Sequence, residues 1–156
     1  MNSQTLLQLL LVLHIAGFST MAGTVAADTS IYSRLKKYLV TDKGKALTML
    51  ESSSLFPVLI GISAAMIIAS GIGMVSLVPV FTGMLWFRIK MTLVLLIIIN
   101  GAIIGRRLVT RLKTLLLENV AESNSAIEVL KGRLNLLYTT QLILFLAIFI
   151  LSVFKF

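Results

Sequence analysis

One histidine in 156 residues, His14, stands in the middle of the apolar stretch LLLVLHIAGFSTMAGT, Leu9 to Thr24. Few other side chains in apolar surroundings can ligate, bind or move a proton: Arg88, Lys90, Asn100 and Gln141. An imidazole can act as an acid or base, form a hydrogen bond, or ligate a metal. Triad-type catalysis needs a carboxylate beside it, and Asp28, Asp42 and Glu51 all fall at or beyond the ends of the apolar runs. A zinc site needs three or four protein ligands, which one histidine without any cysteine cannot supply. Helical spacing places Leu7, Leu10, Leu11, Gly17, Phe18 and Met21 on the face that carries His14. A neutral imidazole on such a face, beside a small residue, suits the axial position of a haem iron. The alternative is a hydrogen bond from His14 to a neighbouring helix.

The elements that must position these groups are apolar helices. Hydrophobic residues make up 58% of the chain and charged residues 13%, and the mean hydropathy is +1.01, far from the balance of a soluble domain. Four runs are each long enough to cross a hydrocarbon core of about 30 Å at about 1.5 Å per residue. They are Leu6 to Ala27, Leu55 to Val80, Phe81 to Ile104 and Leu134 to Phe154. The first lacks a basic leader and exceeds the apolar core of a signal peptide, so it is expected to be retained. The expected fold is all-α: a single membrane domain, 1–156, forming a bundle of four transmembrane helices.

Eleven of the fourteen basic residues lie in two connectors, 28–54 and 105–133. The positive-inside rule places both connectors in the cytoplasm and both termini outside. The net charge of +8 follows from that distribution, and it is read as attraction to lipid headgroups, with no nucleic-acid partner. With that orientation, His14 and Lys90 each lie eight or nine residues from the outer start of their spans, roughly 12–14 Å down. A charge at that depth is costly, so Lys90 is expected to face the bundle, a cavity or a ligand. The alternative is that its long stem carries the ammonium outward beside Arg88.

In ESSSLFP the serines are expected to cap the second span, with Pro57 in its first turn. Leu108, Leu112, Leu115, Leu116 and Val120 form a helical stripe, so the third helix is expected to run on along the cytoplasmic surface. Ser125 and Glu128 have the spacing of a capping box that would start the fourth helix well before the membrane. Gly61, Ala65, Ala69 and Gly73 form a ridge of small residues, suited to close helix packing or to a groove for a flat ligand.

The chain resembles, over nearly its full length, the four-helix HemJ-type protoporphyrinogen oxidases and their CopD-like relatives. The resemblance lies in LHIAGF, with His14 where that family has its haem-ligand histidine, and in WFRIKMTLVLLIIINGAIIGRRL, with Trp86, Lys90, Gly105 and Arg107. It lies also in RLNLLYTTQLILFLAIFILSVFKF, with Arg133, Asn135, Val153 and Lys155. Asn100 stands near where family members often carry a second histidine, and Leu136 and Tyr138 replace an acidic residue and a proline. The resemblance implies haem b between the first and third spans, with His14 as an axial ligand. Lys90 would be the second ligand or a propionate partner, and Trp86 would line the pocket. Gly17, Phe18 and Met21 complete the expected cofactor-binding set. It further implies an inner-membrane protein, redox-active toward a porphyrinogen or hydroquinone. The expected partners are therefore the lipid bilayer, a porphyrin or quinone substrate and, through shared ligation, a second copy of the chain. Two other readings are CopD-like metal transport, with Met21, Met66 or Met74 touching a soft ion, and a cofactor-free assembly partner.

Overall fold

The computed structural model describes residues 2–39, 41–118 and 123–153. Val120, Phe154 and Lys155, which figure in the sequence reading, lie outside them. The described residues form six α-helices: α1 (Ser3–Tyr38), α2 (Lys43–Ser52), α3 (Phe56–Leu77), α4 (Leu85–Ile98), α5 (Arg106–Glu118) and α6 (Ser123–Val153). A short 3-10 segment, Pro79–Gly83, joins α3 to α4, and a π-helical segment, Ile99–Gly105, carries α4 directly into α5. Four helical stretches are long and apolar enough to cross a membrane.

The helices overrun the apolar runs that seed them. The 36 residues of α1 span about 54 Å at 1.5 Å per residue, well beyond an apolar core of about 30 Å. Its last turns, with α2, α5 and the first half of α6, build a compact end. There Tyr32, Leu35, Leu39, Ala46, Leu112, Leu116, Ile127, Leu130 and Leu134 form a buried core. The Leu108–Leu116 stripe therefore packs against the protein's own α1, α2 and α6. A second core, Met21, Val25, Ile97, Phe145 and Ile148, ties α1, α4 and α6 together at mid-length, with Ile60 and Ile67 of α3 against it.

Burial is inverted between the two regions. Along the apolar helices Val12, Ile72, Leu95 and Ile143 are 58–65% exposed, whereas Leu39, Leu112 and Ile127 at the compact end are fully buried. A helix apolar on all sides has no polar face to turn outward, while the amphipathic α5 does.

Three expectations change. The serines of ESSSLFP do not cap α3: its N-cap is Leu55, without a side-chain bond. Ser53 instead bonds back to the Leu50 carbonyl and closes α2. Pro57 does sit in the first turn of α3. Helix α6 does begin well before the apolar run, but at Ser123, so Ser125 lies inside its first turn. In the ridge of small residues, Gly61, Ala65 and Ala69 are exposed, and open space surrounds Gly61. Gly73, the fourth member, does lie in the contact: a Cβ there would lie 2.9 Å from Leu10 Cδ1 of α1. From the other side, a Cβ on Gly17 of α1 would lie 3.1 Å from Ile67 Cγ1, Met66 Cβ and the Ser63 carbonyl oxygen, so α3 meets α1 with its Ser63, Ile67, Ser70 and Gly73 face.

Candidate functional site

His14 is half-buried on α1 and turns its ring toward α3. Its Nδ1 lies 3.1 Å from the Ile67 carbonyl oxygen and 2.9 Å from Ser70 Oγ. A carbonyl can only accept, so the proton sits on Nδ1 and is shared between the two oxygens. The Ser70 hydroxyl in turn donates to the Met66 carbonyl at 2.6 Å. In the neutral ring, Nε2 is then the nitrogen that carries the lone pair. The same arrangement, one ring nitrogen donating to a carbonyl while the other is left as a ligand, orients metal-binding histidines.

Lys90 is half-buried on α4. One turn away, Trp86 is 8% exposed; its indole N–H points to Met84 Sδ at 3.1 Å, and its ring meets Phe87 edge-on at 5.9 Å. Arg88 is exposed, with Nε 3.5 Å from the Thr82 carbonyl.

The rest of the expected cofactor set follows His14 along α1, in helix packing. Gly17 is pressed against α3. Phe18 meets Phe145 of α6 at 5.9 Å, and Met21 is buried in the mid-length core. Among the described residues no Cα of α1 comes within 8 Å of one in α4, so the seam between these helices is wider than the tight α1–α3 contact. Two polar partners of His14, the Ile67 carbonyl and Ser70, escaped the sequence reading. Their signal is the pair Ser63 and Ser70, seven residues apart and so on one face of an apolar helix.

Two further polar clusters brace the bundle. Asn100 Nδ2 donates to Gln141 Oε1 at 2.8 Å and to the Leu137 carbonyl at 3.2 Å. Gly101 and Gly105 of the π-helical segment let α6 close in on this pair. At the compact end, Tyr138 donates to Asp28 at 3.1 Å and stacks on Tyr32 at 4.7 Å, while Tyr32 donates to the Lys131 carbonyl at 2.7 Å. Sequence spacing gave no sign of this Asp28–Tyr138 link, because 110 residues separate its ends.

An open cavity of about 480 Å³ is lined by Ala102, Ile103, Arg106, Arg107, Thr110 and Arg111. A smaller one, about 260 Å³, involves Asn100, Leu108, Arg133 and Thr140. Neither is lined by His14 or Lys90. No group of three or more His, Cys, Asp or Glu gathers among the described residues, so the ligand that the site offers is one imidazole nitrogen. A macrocycle that already supplies four nitrogens to its metal asks for no more than that from the protein, whereas a zinc site asks for three or four ligands.

No family model matches the sequence, and comparison with curated proteins and with solved structures gave no match.

Proposed function

We propose that this chain is a multi-pass inner-membrane protein that binds haem b through Nε2 of His14. The observation that carries the reading is the bond from His14 Nδ1–H to the Ile67 carbonyl, which fixes the tautomer and leaves Nε2 as a donor. The inverted burial along the four apolar helices supports the membrane setting, since lipid accepts the exposed side chains that water would not. The charge asymmetry supports cytoplasmic connectors and external termini. Reporter fusions at Lys43 and Lys113 should then read as cytoplasmic, and one after Phe156 as external.

His14 would hold the iron, Lys90 would neutralise a propionate or serve as a second ligand, and Trp86 would help keep water out. As an ammonium, Lys90 cannot ligate; as a neutral amine it can. When bound, haem supplies one-electron redox chemistry, with a porphyrinogen or hydroquinone as the donor class in the HemJ-like version. The protein's part is ligation, orientation and exclusion of water. The chain has no cysteine, so the haem would be held without thioether bonds.

The purified protein should show a Soret band, and a pyridine haemochrome assay should identify haem b. His14→Ala should remove most of it. Lys90→Ala should shift the spectrum or weaken retention while the helix content stays. A colourless protein after expression with ample haem would overturn the reading.

A second reading has one observation in its favour. The bonds from His14 to Ile67 and Ser70 already pin α1 to α3, which is sufficient work for a buried imidazole in a cofactor-free bundle. Under that reading His14→Ala lowers the melting temperature of a protein that never binds haem.

A further inference from the structure

On the side of α5 away from the Leu112 and Leu116 face that packs inward, three arginines line a shallow, open hollow of about 480 Å³ along one continuous helical stretch. Arg106, Arg107 and Arg111 are all exposed. Among the described residues none of them meets a carboxylate: the ion pairs there are Lys45–Asp42, Lys113–Glu51 and Lys131–Glu128. Arg107 and Arg111 stand four residues apart, where like charges repel along a helix. Such a cluster is relieved by an external anion, and three guanidinium groups around one concavity match the oxygens of a phosphate.

The lining changes chemistry along the same continuous helix. Ala102 and Ile103 line the hollow on the side of the apolar span. Ile103 and, one turn further along, Ile99 are 46% and 38% exposed, so an uncovered apolar strip leads into the arginines. Hydrocarbon on one side and guanidinium on the other are the two halves of a phospholipid.

We infer that Arg106, Arg107 and Arg111 form a binding site for the phosphate of an anionic phospholipid whose acyl chains lie along the strip above. The inference rests on the membrane reading and is independent of haem. Lipid binding at the junction of the π-helical segment and α5 would hold the end of the third span at the headgroup layer.

The test uses the full chain, purified in detergent and titrated with phosphatidylglycerol, with phosphatidylcholine as the neutral control. Retention is read by native mass spectrometry and stability by thermal melting. Wild type should retain phosphatidylglycerol preferentially. A triple Arg106→Gln, Arg107→Gln, Arg111→Gln variant should lose affinity on the order of a hundredfold. The triple Arg→Lys variant, which keeps the charge but not the bidentate geometry, should fold and lose severalfold. The matched change Arg34→Gln, Lys36→Gln, Lys37→Gln should alter affinity less than about threefold, because those charges lie on α1. Equal loss in both Gln variants would overturn the site in favour of diffuse charge, and so would equal protection by inorganic phosphate alone. Alkaline carbonate extraction separates the premises. Wild-type protein released from membranes overturns the membrane reading and this site with it. Retained protein with no preference for phosphatidylglycerol overturns the site alone.

Discussion

Ser70 accepts from His14 with one lone pair while giving its own proton to the Met66 carbonyl: Nδ1 to Oγ is 2.9 Å, and Oγ to the carbonyl 2.6 Å. The hydroxyl orients the ring from a position that never touches Nε2. Ser70→Ala leaves the Ile67 carbonyl as the sole partner, so Nδ1 keeps its proton. The expected result is a loss of about 0.5–1.5 kcal/mol in stability and retention of any haem bound by wild type. Thermal melts and optical spectra of the variant check both. Complete loss of haem would mean that Ser70, and not Ile67, sets the tautomer.

Gly17 and Gly71 should respond oppositely to a methyl group. At Gly17 the new Cβ meets Ile67, Met66 and a backbone oxygen of Ser63, all at 3.1 Å, whereas at Gly71 the nearest atom is His14 Cε1 at an ordinary 3.7 Å. Gly17→Ala should push α1 and α3 apart and cost about 1–3 kcal/mol. Gly71→Ala should be close to neutral. Melting temperatures in one detergent compare them directly. Equal effects would argue that the close contact at Gly17 is not part of the folded state.

Asn100 and Gln141 form a pair whose halves are worse than nothing. Asn100→Leu takes from the buried Gln141 amide its partner and should destabilise by about 1–2 kcal/mol, whereas Gln141→Leu leaves Asn100 the Leu137 carbonyl and should cost less. The double Leu variant should recover part of that loss. A double-mutant cycle measures the coupling, and strict additivity would show that the two amides do not interact.

Asp42 caps α2 by accepting the Lys45 backbone N–H at 3.0 Å. That bond, followed by the hydrogen bond and charge of the Lys45 side chain, holds its carboxyl below the usual carboxylate range. A lowered native pKa means that the unfolded chain binds the proton more readily. The stabilisation is therefore full above the ordinary value of about 4 and fades as pH falls through the lowered native value. Acid titration followed by hydrogen exchange in α2 should show loss of protection below about pH 4. Asp42→Asn, which caps without titrating, should flatten that profile.

Much of the architecture was legible in the chain alone. Four apolar runs pointed to four long helices, because a helix satisfies the backbone of an apolar run within the run itself. The Leu108–Leu116 stripe announced a helix continuing past the third run. His14 and Lys90 stood out as polar groups inside two of those runs, and α1 and α4 are the helices that carry them. The tertiary structure alone decided which faces meet. All-round apolar helices carry no moment that selects a neighbour, so nothing in the sequence said that α1 lies on α3, that His14 bonds Ile67 and Ser70, or that Gly61, Ala65 and Ala69 stay uncovered. Those choices depend on close contacts between atoms of different helices, Gly17 against Ser63 and Tyr138 against Asp28, and no periodicity within one helix encodes them.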